Sequence, residues 1–206
     1  MQENDNLLNI ASEFCEDGKY MEAIRCYDKI LCVEPDNLGA IIDKGVTLQN
    51  LGYHQDAIQM YDKALILKPD NLDALINKGS ALHTLKKYTE AISCYNTALK
   101  LDKKNAMALA YKGLSVGELG NISFAIRCFK SALLIDHDYD LAQISLDTAK
   151  NVTNQWLNNW YQNTSIFLCH ASQKIPYALF FDAFLVFPYY QIDRYTGNTL
   201  VYVHQS

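Results

Sequence analysis

Residues 38–71 read LGAIIDKGVTLQNLGYHQDAIQMYDKALILKPDN, and residues 72–105 read LDALINKGSALHTLKKYTEAISCYNTALKLDKKN. Laid on one another without a gap, they bring Gly45 onto Gly79, Ala57 onto Ala91, Tyr61 onto Tyr95 and Ala64 onto Ala98. The same register of 34 residues extends in both directions, giving four segments: 4–37, 38–71, 72–105 and 106–139. Gly113 continues the glycine position and Ala11 stands there in the first segment. Ala23 and Ala125 continue the alanine, and Tyr27 and Phe129 the aromatic. Self-similarity at a fixed period of this length marks a stacked array, because one short unit cannot bury its own apolar face.

Within a segment the apolar spacing is helical twice over. Ile41, Gly45, Leu48 and Leu51 fall on one face; a turn at Gly52-Tyr53-His54 follows, and then a stripe of Ala57, Ile58, Tyr61, Ala64 and Leu65. The small residues have a packing reason. Helices crossing at about 8–10 Å need a glycine or alanine where their backbones come closest, and the aromatic covers the seam. Pro35-Asp36-Asn37 and Pro69-Asp70-Asn71 stop one helix and supply an Asp or Asn cap for the next.

This pattern of small residues, aromatic and closing proline resembles the tetratricopeptide repeat family, over four consecutive units covering residues 4–139. Two positions depart from it. The early tryptophan is replaced by Leu7, Ile41, Leu75 and Leu109, and the closing proline by Lys103 and His137 in the last two units. The resemblance implies an all-α, right-handed superhelical solenoid of four helix-turn-helix units whose first helices line a concave groove. A terminal unit needs a cover, and 140–164 reads as one. There Leu141, Ile144, Leu146, Ala149, Val152, Trp156, Leu157 and Trp160 lie near helical spacing, as core packers of a C-terminal capping helix.

The rest of the chain is different in kind. Residues 166–206 hold only four charged side chains, Lys174, Asp182, Asp193 and Arg194, but ten of the 24 aromatics. The apolar stretch 175–190 is too short to span a bilayer, which takes roughly 20 residues. A hairpin around Thr196-Gly197-Asn198 fits residues 191–203. Leaving Phe180, Phe181, Phe184, Leu185 and Phe187 in water forgoes about 1.5–3 kcal/mol each. Three fates are open to the tail: packing on the repeats, forming a homodimer contact, or meeting a membrane or another protein.

The resemblance also places function on the inner face of each first helix. The residues there are Leu8, Ile42, Val46, Ile76, Asn77, Ser80, Met107, Ala110 and Leu114, with Gln49, His83 and Glu118 along one margin. Such a lining suits a protein partner that offers an apolar or amphipathic helix or an extended peptide. Packing between neighbouring first helices accounts for the same residues without a ligand, and the tail could fill the groove as a lid. A carboxylate clamp for an acidic chaperone C-terminus, a known mode of the family, needs basic residues and asparagine at set positions. Those positions hold Leu8, Ser12, Asp43, Asp73 and Asn77 here, or Ile42, Val46, Asn77, Met107 and Tyr111 one unit on. No basic residue is among them, so an acidic terminus is excluded. Lys44, Lys78 and Lys112 recur just before the glycines and read as solvated surface lysines.

Composition narrows the remaining classes. A net charge of −5 argues against a nucleic-acid partner. The first twenty residues carry acids and no apolar core, so no secretory leader is expected and the cytoplasm is the default location. Cys15, Cys26, Cys32, Cys94, Cys128 and Cys169 are then thiols, and with no CxxC or Cys/His cluster no metal is expected. His54, His83, His137, His170 and His204 form no catalytic or ligating pattern. There is no phosphate loop and no GxSxG, so neither a cofactor nor an enzymatic activity is expected. Asp136-His137-Asp138 reads as the start of the capping helix, and adjacent Cys169 and His170 make a poor nucleophile pair. The expectation is a non-enzymatic interaction scaffold. The alternative is a structural or membrane-associated assembly subunit whose aromatic tail makes the contact.

Overall fold

The computed structural model describes residues 2–171, with side chains from Asn6 to Asn159. Every regular element among the described residues is a helix. In order they are α1 (Gln2–Glu16), α2 (Tyr20–Val33), α3 (Leu38–Asn50), α4 (His54–Leu67), α5 (Leu72–Thr84), α6 (Tyr88–Leu101), α7 (Ala106–Glu118), α8 (Ile122–Ile135) and α9 (Asp140–Ala171). The chain divides into two compact units, Met1–Asn154 and Gln155–Ser206. The repeats lie wholly in the first. The aromatic stretch 175–190 and the hairpin expected over 191–203 lie outside the described residues.

The helix starts follow from their sequence. Asn37, Asn71 and Asn105 each accept, through Oδ1, the backbone N–H three residues on, at 3.0, 2.7 and 2.8 Å. That satisfies one of the donors a helix N-terminus leaves free. Between the helices of a pair, Gly18, Gly52 and Gly120 turn the chain at positive φ. The aligned residue in the third pair is Lys86, at φ 60°. Where the closing proline is lost, the preceding aspartate does its work: Asp102 Oδ1 accepts from the Lys104 N–H and Asp136 Oδ1 from the Asp138 N–H. The 136–138 stretch is therefore this turn, and α9 starts beyond it at Asp140.

The glycine–aromatic pairs close each hairpin. Around Gly45 the Tyr61 ring leaves no room: an added β-carbon would stand 2.7 Å from Cε1. Phe129 fills the same space at Gly113 at 2.6 Å, and Tyr95 does so at Gly79. Ala57, Tyr61, Ala64, Ala91, Tyr95 and Ala98 are all without solvent access. The array is tied between units as well. Lys44 pairs with Asp28 and Lys78 with Asp62, each lysine only a fifth to a quarter exposed. These are inter-unit ties rather than solvated lysines. In the next unit Asn96 replaces the aspartate in the sequence register, and Lys112 sits over the Phe124 ring at 5.2 Å.

Helix α9 continues the array as a fifth first helix. Ala142, Leu146 and Ala149 are buried against Ala110, Ala132, Val116, Ala125 and Phe129. Ala142 thereby repeats Ala40, Ala74 and Ala108. Its outward face carries a different chemistry. Gln143, Asp147 and Lys150 take the seam positions that hold Leu75, Gly79 and Leu82 in α5, and they bond to each other (Gln143 Nε2 to Asp147 Oδ2 2.7 Å; Lys150 Nζ to Asp147 Oδ1 3.2 Å). No second helix can pack on that polar triad without burying a charge. The core-packer reading of this segment fails at four residues: Ile144, Val152, Trp156 and Leu157 are exposed. A 14-residue partner such as α8 covers about 21 Å of helix, and α9, with 32 residues, outruns it and continues to Ala171.

Candidate functional site

First helices lie on the inner side of the stack. α3 touches α5 and α5 touches α7, whereas no comparable contact joins alternate second helices among the described residues. Elements that meet every second step lie at the shorter radius, so the exposed edge of the first helices forms the concave face.

A ladder of side-chain bonds spaces these helices. Residues at one position of three successive units reach to the next first helix. Cys15 Sγ meets Thr47 Oγ1 at 3.3 Å, Gln49 Nε2 donates to Ser80 Oγ at 3.1 Å, and His83 Nδ1 meets Ser115 Oγ at 2.9 Å. Thr47 and Ser115 are buried hydroxyls, and each also donates to the carbonyl four residues back, Asp43 O and Tyr111 O. Buried polar groups need such partners. His83 thus spaces helices, where sequence reading set it at a binding margin. Burial lowers its pKa below the ordinary histidine value, with the charge of Glu118 opposing. The Tyr88 ring meets it edge-on at 5.3 Å.

The lining expected from sequence separates into three groups. Leu8, Ile42, Val46, Asn77, Ser80 and Leu114 are half-buried, and Met107 is 46% exposed. Ile76 is buried, packed with Tyr61, Leu75 and Tyr95. Ala110 has no exposed surface at all: its short side chain is closed over by Ala132, Ala142, Leu109 and Tyr139, and it offers nothing to a ligand. Sequence reading missed Ile144, which is 66% exposed. It stands 34 residues after Ala110, in register with Ile42 and Ile76, so the signal was present. Asp147 in place of the seam glycine past residue 139 hides that register.

Asp43 and Asp73 give the middle of this face its charge. Burial, and then the charge of Asp73, hold the Asp43 carboxyl above the usual carboxylate range. Neither carboxylate forms an ion pair among the described residues. The described cysteines are unbridged, and no described cluster of His, Cys, Asp and Glu could hold a metal ion. No described helix is long and apolar enough to cross a membrane.

Tetratricopeptide repeat family models match residues 38–71 and 72–105, the two segments in which the glycine–tyrosine register is most complete. The chain is a tetratricopeptide repeat protein. As such it is an interaction scaffold. No curated protein sequence matches it. Among solved structures, that of MamA is similar at 26% identity and a TM-score of 0.63, covering 70% of this chain and 85% of that one. MamA 41-end from Desulfovibrio magneticus RS-1 is 21% identical, with a TM-score of 0.67 over 85% of this chain and 99% of that one. The first TPR of Spaghetti (RPAP3), bound to the HSP90 peptide SRMEEVD, is 23% identical, with a TM-score of 0.54 over 57% of this chain and 93% of that one.

Proposed function

We propose that this tetratricopeptide repeat protein is a non-enzymatic, cytoplasmic scaffold that binds an apolar or amphipathic peptide or helix along its concave face. The observation that carries this is the apolar side chains that reach solvent at inner positions of α1, α3, α7 and α9: Met107 and Ile144 are exposed, and Leu8, Ile42, Val46 and Leu114 are half-buried. Aliphatic anchors at fixed separation match the way helices and extended peptides are gripped in grooves. The ladder beneath fixes that separation before a partner arrives, which lowers the ordering cost of association. Buried Cys26 and Cys128 packed as thiols fit a reducing compartment.

The neighbour bound to SRMEEVD grips an acidic peptide, and that mode does not transfer. Asp43 and Asp73 stand where a clamp would need cations, and like charges repel.

Capture experiments with the full chain test the reading. Met107→Asp places a charge on the concave face, whereas Ile66→Asp alters an exposed apolar residue on α4. Proteins captured by wild type and by Ile66→Asp, and lost with Met107→Asp, support the groove; a capture profile indifferent to Met107→Asp contradicts it. A second reading, contact through the C-terminal part of the chain, is favoured by the exposure of Trp156 and Leu157. It predicts the converse, capture lost with Trp156→Asp and kept with Met107→Asp.

A further inference from the structure

Charge and apolar surface are unevenly placed on the concave face. Asp43 on α3 and Asp73 on α5 are exposed at inner positions, Glu16 and Glu118 stand along one margin, and no lysine or arginine occupies the aligned positions of the described first helices. The basic residues those helices do carry face elsewhere. Lys44 and Lys78 are held by Asp28 and Asp62, and Lys112 by the Phe124 ring. Asp43 and Asp73 stand on adjacent first helices, the charge of Asp73 reaches Asp43, and neither carboxylate is in an ion pair among the described residues. Beyond α5 the face turns apolar, with Met107, Leu114, Ile144 and Val152 reaching solvent.

We infer that the occupant is a protein segment with lysine or arginine at one end and aliphatic residues at the other, its basic end over Asp43 and Asp73 and its apolar end over Met107, Leu114 and Ile144. This rests on the concave-face reading and adds the partner's charge class. Complementary charge sets partner choice and register, and apolar anchors supply the salt-insensitive part of the affinity.

The test uses the chain of residues 1–206 and two fluorescent synthetic peptides of equal length. Both carry the same Leu/Ile-rich half, joined in one to a lysine-rich half and in the other to a glutamate-rich half. The lysine peptide binds about tenfold tighter at low ionic strength, and added salt erodes that preference. Asp43→Asn with Asp73→Asn, a near-isosteric pair, removes most of the preference while thermal melting stays cooperative. Ile144→Asp weakens both peptides alike. Equal binding of the two peptides, a preference that survives Asp43→Asn/Asp73→Asn, or binding of neither overturns the assignment. Equal binding that is still lost with Met107→Asp sinks only the charge class and leaves the groove standing.

Discussion

The Tyr95 ring lies across Gly79 so closely that the space for a β-carbon on the glycine is already occupied by Cε1 and Cζ. Gly79→Ala gains helix propensity of about 1 kcal/mol but overpacks a buried ring, at about 1–3 kcal/mol. The expected net is a loss of up to about 2 kcal/mol in chemical denaturation. Gly117 supplies the control. A β-carbon there would sit 3.6 Å from Ala125 Cβ, an ordinary contact, so Gly117→Ala is neutral or stabilising by up to about 1 kcal/mol.

Lys86 stands at φ 60° where Gly18, Gly52 and Gly120 turn the other hairpins. A side chain in the left-handed region costs about 1–2 kcal/mol, and glycine's extra freedom in the unfolded chain returns part of that. Lys86→Gly is therefore expected to raise the melting temperature, while Gly52→Lys lowers it. A Lys86→Gly protein that melts earlier than wild type refutes this account of the turn.

His83 gives stability a pH dependence with a definite sign. Burial holds its folded pKa below the ordinary value of 6.5, so the unfolded chain takes up the proton first. The contribution is fully present above about pH 6.5 and is lost as pH falls through the lowered folded value. Glu118 from α7 and Tyr88 from α6 face the ring, and the Glu118 charge limits the effect. His83→Gln copies Gln49, which already bonds Ser80 from the equivalent place. Melting temperatures of wild type and His83→Gln should coincide near about pH 8 and diverge towards about pH 5, wild type falling faster. Parallel curves would refute the assignment.

The polar triad on α9 makes self-association engineerable. Gln143→Leu, Asp147→Gly and Lys150→Leu together restore the seam residues that α5 carries. The expected result in analytical ultracentrifugation is a concentration-dependent dimer, against an unshifted profile for wild type over the same range. A triple variant that sediments as wild type does would show that the triad is not what ends the array.

Much of this was legible because it follows from one register. Gly45, Gly79 and Gly113 mark where helices touch, Tyr61 and Tyr95 mark what covers them, and Asn37, Asn71 and Asn105 mark where helices begin. Exposure was less legible. Ile76 and Ala110 occupy the same position as Ile42, yet solvent access there depends on how neighbours of different size close over each residue. The lysine ties were hidden too: Asp28 and Asp62 each precede their lysine by 16 residues, a separation no helical period predicts. The ladder was not readable, because Cys15, Gln49 and His83 share a place in the fold but no residue type, and Ser80 stands one residue off the register of Thr47 and Ser115.

Site-specific photo-crosslinking in the native cell tests the central claim most directly, since the crosslink itself selects the partner. A benzophenone side chain is placed in turn at Met107, at Ile144 and, on the second-helix side, at Ile66. The account predicts discrete covalent adducts, shared in identity, from Met107 and Ile144 and none of them from Ile66. Adducts from Ile66 with silence at both concave positions would contradict it.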